Sequence, residues 1–223
     1  MVRHTNEDAL DEDELEELID AAGDLRFPWD AEATLILVLG GELGMRAGEI
    51  CHIREDWINW KRGLIEIPQH DPCTFGKDGG ICGYCHGQAE LAVDCNDDLS
   101  LEDALEERWN PKTSTSARSI PFDHSDRAED VLIAFFSEFD AYPHSRISVN
   151  RRVNTVAEAA GFDRDRVYPH ALRATAASTL AYAGLPPVAL QGLFGWAQIE
   201  TANKYIRTSG GATKSALHDL YSD

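Results

Sequence analysis

Two arginines (Arg46 and Arg173), a histidine (His170) and a tyrosine (Tyr205) have the types and order to hold a phosphate and attack it. Breaking a phosphodiester takes charge stabilisation on the non-bridging oxygens, a nucleophile, and a proton for the departing oxygen. Arginine suits the first task, because its planar fork can bind two phosphate oxygens and stays charged at any working pH. His170 precedes Arg173 by three residues in Tyr-Pro-His-Ala-Leu-Arg (168–173), so a helical turn puts both on one face. A phenol with an ordinary pKa of about 10 needs a base or nearby cations to react near neutrality. Each short motif alone is more often structural: a surface His-x-x-Arg pair, a core tyrosine, an arginine capping its own helix. Function is indicated by their joint occurrence in order.

A second group of residues points to metal chemistry. Cys73, Cys82, Cys85 and Cys95 form C-x8-C-x2-C-x9-C, with His86 directly after Cys85 and His70 just ahead. Thiolates at such short range favour a closed tetrahedral zinc site, with Cys82 and Cys85 as the close pair of a zinc knuckle. His86 or His70 replacing one cysteine stays open, as do reduced thiols without a ligand. The turns at Gly79-Gly80 and Gly83 have little core of their own, so a metal would order them. Cys51 reads as a buried core thiol.

These side chains need elements to position them. Leu10, Leu15, Leu18, Ile19 and Ala22 recur at helical spacing, giving an amphipathic helix over 10–22. A second helix over 29–42 is apolar almost all round at Leu35 to Leu39 and belongs in the core. Gly40, Gly41 and Gly44 then precede a short helix carrying Arg46, Glu49 and Ile50. Residues 57–60 and 64–67 read as a hairpin and 117–122 as a third strand. The 69–111 segment between them is too long for an ordinary hairpin connection and reads as an insertion. Helices follow over 125–139, 148–160, 171–183, 186–194, 199–208 and 212–221, punctuated by Pro169, Gly184, Pro186-Pro187 and Gly210-Gly211. The predicted fold class is mainly α with a small antiparallel β-sheet (α+β), a single domain over 1–223.

Composition bounds the partners. The 223 residues, 43% of them hydrophobic, can bury one good core, and no apolar run approaches the ~20 residues that cross a bilayer. With no signal-peptide pattern, a cytoplasmic protein is expected, and that location disfavours disulfides. The net charge of −19 opposes a nucleic-acid partner at first sight, but the acids crowd the first thirty positions while basic residues gather elsewhere, as at Arg151-Arg152 and Arg164/Arg166. Lysine is scarce, at Lys61, Lys77, Lys112, Lys204 and Lys214, against fifteen arginines. That bias suits concentrated salt, where self-repulsion is screened, and reads as haloarchaeal or haloviral in origin.

Gly-Met-Arg-Ala-Gly-Glu-Ile (44–50), the 168–173 segment, Leu-Phe-Gly-Trp (193–196) and Ala-Asn-Lys-Tyr-Ile (202–206) together resemble the catalytic domain of the tyrosine recombinases, the family of phage integrases and Xer-type resolvases. The spacing from Arg173 through Trp196 to Tyr205 is the family's usual one, and the resemblance runs from about residue 10 to the end. It implies that Arg46 and Arg173 grip the scissile phosphate, and that His170 assists proton removal from the tyrosine or hydrogen-bonds the phosphate. Tyr205 would attack to form a 3'-phosphotyrosine and expel a 5'-hydroxyl. Lys112, on the hairpin before the third strand, would be general acid to that oxygen, and Glu49 would orient the cations. Trp196 stands where most integrases have histidine, and its indole N–H can donate a hydrogen bond but cannot relay a proton.

The resemblance further implies double-stranded DNA as partner, self-association on it up to a synaptic tetramer, and no catalytic metal or high-energy cofactor. Family members generally carry an N-terminal helical clamp, for which this sequence leaves no room, so a partner or self-assembly would enclose the DNA. The segment 213–221 is expected to dock on a neighbour. Two other readings stand beside this one: a catalytically inactive DNA-binding protein on the same fold, and a type IB topoisomerase-like relaxer.

Overall fold

The computed structural model describes residues 8–69, 73–96, 98–106 and 117–210, with isolated positions at 213, 214, 217 and 221. Helix α1 (Glu12–Gly23) starts on a capping box: the Asp11 carboxylate accepts from the Glu14 backbone N–H at 2.8 Å, and Glu14 accepts from that of Asp11 at 2.9 Å. Leu15, Leu18 and Ala22 form its buried face. Helix α2 (Trp29–Gly41) is central, as its composition requires, and Leu35 to Leu39 are at most 1% exposed. Fully burying each such side chain contributes about 1.5–3 kcal/mol. A Cβ on Gly40 would lie 3.3 Å from that of Leu172, so a small residue lets α8 (Pro169–Tyr182) approach α2 closely.

After α2 come the one-turn helix α3 (Ala47–Ile50), a 3-10 turn (Glu55–Trp57) and the strands β1 (Ile58–Asn59) and β2 (Leu64–Ile67). Strand β3 (Arg118–Pro121) completes an antiparallel sheet in the order β1-β2-β3, with Ile65 paired to Ile58 on one side and Ile120 on the other. Alternation along β2 buries Ile65 and Ile67 and exposes Glu66. The expected first strand is shorter than 57–60, because the 3-10 turn takes Trp57.

The insertion between β2 and β3 holds two helices that the turn-rich sequence did not announce, α4 (Gly83–Asp94) and α5 (Leu101–Glu106). The chain continues through α6 (Asp126–Phe136), α7 (Arg146–Ala159), α8, α9 (Pro187–Phe194) and α10 (Ile199–Ser209). Most of the expected 212–221 helix, with its proposed docking role, falls outside the described residues. The main core gathers α1, α2, α6, α7 and the sheet, while a smaller cluster of Ala174, Ala177, Leu190, Phe194, Ala202 and Tyr205 joins α8, α9 and α10. No helix among the described residues is long and apolar enough to cross a membrane.

Candidate active site and metal-ligand cluster

Glu49, on α3 and 2% exposed, is the hub of the site. Arg118 of β3 donates to both its oxygens, Nη1 to Oε1 at 2.8 Å and Nη2 to Oε2 at 3.1 Å. Arg46 donates through Nη1 to Oε1 at 2.7 Å, and its backbone N–H meets Oε2, also at 2.7 Å. Burial alone would raise the Glu49 pKa, but Arg118, with Arg173 and Arg46 behind it, outweighs that and holds it at about 2. Glu49 is therefore a carboxylate that orients cations.

Backbone carbonyls take further guanidinium donors. Arg46 Nη2 reaches the carbonyls of Phe194 (3.3 Å) and Gly195 (3.1 Å), and Arg118 Nε that of Leu193 at 2.6 Å. Arg173, 4% exposed, donates to the carbonyls of Gly44 and Phe194. Its ring neighbours are Phe194, 4.9 Å from the guanidinium carbon, and Trp196 at 6.0 Å. Burial, with Arg46 beside it, pulls its pKa well below the usual guanidinium range, so an entering anion would be stabilised there. Two glycines make this packing possible. Gly44 has φ 68° and a Cβ on it would collide with the Phe194 ring, and Gly195 closes α9 in the left-handed conformation at φ 58°.

Arg46, Glu49, His170, Arg173 and Trp196 line one cleft of about 530 Å³, so five residues remote in sequence converge. His170 is exposed at the start of α8, which Pro169 opens at a position where its missing N–H costs nothing. Tyr205 is placed differently. It is 5% exposed and stacks on Trp196 with centroids 5.2 Å apart and planes at 5°, while the other face of Trp196 meets Phe194 at 4.7 Å. The phenol lies within electrostatic reach of Arg173. Lys112 falls outside the described residues.

A second buried cluster forms beside α3. His52, Cys73, Cys82 and Cys85 place one ligand atom each within 4.8 Å of all the others, a set that could hold a metal ion. His52 Nδ1 lies 2.7 Å from the Gly48 carbonyl oxygen and so carries the proton, which turns Nε2 toward the Cys85 sulfur at 3.4 Å. Hydrogen bonds from Cys73 and Cys85 hold Cys82 down at about 2, as the thiolate a metal requires, and the same sharing pushes Cys85 up.

The fourth position of the cluster does not go to Cys95 as expected. Cys95 is exposed at the end of α4 and lies outside the cluster; His52 stands in its place. Ten residues of helix, about 15 Å at 1.5 Å per residue, carry Cys95 away from Cys85. His86 is also on the surface, 3.4 Å from Glu90 one turn along, and His70 falls outside the described residues. Cys51 is the buried core thiol expected, its pKa raised by burial.

Sequence reasoning missed His52, Arg118, Tyr84 and Arg146. Only Arg118 had a local signal, since it lies two residues before the buried Ile120 and faces inward with it. Tyr84 of α4 and Arg146 of α7 also line the cleft.

The family model of phage integrases matches residues 8–210. Among solved structures, XerA recombinase aligns at a TM-score of 0.62 and 17% identity, over 96% of this chain and 65% of that one. The Tn1549 transposon integrase in complex with a circular intermediate DNA aligns at 0.63 and 16%, over 94% and 65%. XerH site-specific recombinase bound to palindromic difH substrate aligns at 0.58 and 15%, over 94% and 52%. The chain thus spans less than two thirds of the length of these relatives, and at such identities the likeness is one of fold. No curated protein matches the chain. The family match over residues 8–210, nearly all the described residues, makes this chain a member of the phage integrase family.

Proposed function

We propose that the chain is a site-specific DNA recombinase or integrase that cuts and rejoins double-stranded DNA through a 3'-phosphotyrosine on Tyr205. The observation that carries this reading is the convergence of Arg46, His170, Arg173 and Trp196 on one cleft, with Tyr205 stacked directly on Trp196. Arg46 and Arg173 offer fixed positive charge to the non-bridging oxygens, and Glu49 keeps that charge aimed without reorganisation during the reaction. Trp196 donates its indole N–H to the phosphate. Tyr205 must first leave its stack. Its oxygen then bonds to phosphorus as the bond to the 5'-oxygen breaks. The phenolic proton passes toward His170, and the departing 5'-oxygen takes one from Lys112. Attack by a 5'-hydroxyl on the phosphotyrosine reverses these steps, so the bond energy is conserved and no high-energy cofactor is required.

In this reading His52, Cys73, Cys82 and Cys85 hold a structural zinc ion, whose tetrahedral preference suits one imidazole and three thiolates. The acidic surface is an adaptation to concentrated salt, and self-association on DNA encloses the substrate.

A pool of random-sequence duplexes carrying a nick at a fixed position tests the proposal. Denaturing gels should show a covalent protein–DNA adduct in the wild type and none in Tyr205→Phe. Binding without an adduct at any salt concentration would leave a DNA-binding protein on a recombinase fold, and relaxation of supercoils without strand exchange would leave a topoisomerase-like enzyme.

A further inference from the structure

Arginine is the main cation of this chain, and the fold pairs several of its examples with carboxylates. Arg46 and Arg118 pair with Glu49, Arg127 with Glu16 and Glu42, Arg152 with Glu32, and Arg166 with Glu14. Arg146 is exposed and is not neutralised in this way. It has no carboxylate at ion-pairing distance among the described residues, although the chain carries a net charge of −19. Its guanidinium carbon lies 4.9 Å from the centre of the Tyr84 ring, and both side chains line the cleft that holds His170 and Arg173. Stacking on an aromatic face fixes the guanidinium plane and leaves its edge donors available for an anion.

Tyr84 is itself held in place. It lies between Cys82 and Cys85 of the metal-ligand cluster, and a Cβ on Gly48 would sit 3.3 Å from its hydroxyl, so the ring abuts the turn between Arg46 and Glu49. Asn150, one helical turn beyond Arg146 on α7, lines the same cleft and offers a further donor. We infer that Arg146 binds a DNA phosphate adjacent to the scissile one, and that Tyr84, supplied by the cysteine-bearing insertion, is the residue that positions it. The inference rests on the recombinase reading for the identity of the polyanion. Arg46 and Arg173 already serve the scissile group, and Arg146 approaches the strand from a third element.

The test measures duplex affinity against salt concentration, with adduct formation on the nicked pool followed in parallel. In Arg146→Ala the slope of log affinity against log salt falls by about one unit, and affinity at fixed salt falls about tenfold. Arg146→Lys restores the slope but not the affinity, because it keeps the charge and loses the planar fork. Tyr84→Ala shifts affinity in the same direction, Tyr84→Phe does not, and Arg146→Ala combined with Tyr84→Ala is no worse than Arg146→Ala alone. A wild-type slope and affinity in Arg146→Ala, with the adduct still forming, overturns the Arg146 site and leaves the recombinase reading intact. A lowered slope in Arg146→Ala with no adduct from the wild-type chain does the reverse.

Discussion

Residues 46–52 carry two buried polar knots, three residues apart, built on opposite chemistry. At Glu49 one carboxylate sits among the charges of Arg46, Arg118 and Arg173; at His52 one imidazole sits among the sulfurs of Cys73, Cys82 and Cys85. The first knot needs no outside ion to hold its shape, since the protein supplies both signs of charge and carbonyls from the end of α9 take further donors, while three guanidiniums against one carboxylate leave it net positive. The second gathers four ligand atoms within 4.8 Å of one another, a set that could hold a cation from outside. A knot built from the protein's own charges ties distant elements of one core together, whereas a knot completed by a metal would order a local insertion.

The sharpest way to break this contrast is Glu49→Gln. It keeps the shape but leaves three guanidiniums without their counter-charge, and urea titration should show a loss of about 3–5 kcal/mol. A loss below about 1 kcal/mol would mean that the carbonyls alone hold the arginines. The acid limb of stability gives a somewhat smaller signal. The Glu49 pKa is about 2 in the fold against an ordinary 4.5, so its contribution is fully present above 4.5 and disappears as pH falls from there through 2. That contribution is about 3 kcal/mol, and urea midpoints across this range should fall more steeply for wild type than for Glu49→Gln. The metal knot should give the smallest global effect. Chelation is expected to lower Tm by only a few degrees while opening residues 73–96 to protease, and cobalt(II) should restore protection together with the visible absorption of a four-coordinate site. Cooperative loss of the whole fold on chelation would erase the distinction.

Legibility in the sequence followed the range of the interactions. Strand β2 and helix α2 were readable because alternation and an all-round apolar run are local patterns, and the start of α8 because Pro169 marks it. Arg46, Glu49, His170, Arg173, Trp196 and Tyr205 could be named from motif order, yet nothing in that order foretells that Tyr205 is stacked away while the others line the cleft. The cysteine spacing announced a cluster and misjudged its membership. C-x2-C survives helix formation because both residues sit on the first turn of α4, but a ligand ten residues further along the same helix does not return. His52 was invisible because the hairpin separates it from the cysteines, and only the tertiary contact of the start of α4 with residues 48–52 brings them together. The Arg146–Tyr84 contact is likewise tertiary, joining two elements with no shared periodicity.

The coplanar seating of Tyr205 against Trp196 has a consequence for a chain at rest. Under the proposed recombinase reading, a nucleophilic phenol sheathed between helices would not attack a duplex the protein merely brushes against, so damage from stray encounters would be suppressed by default. Drawing the residue out would then be the moment of commitment, with its cost offset by contacts that the displaced helix makes in the assembled complex.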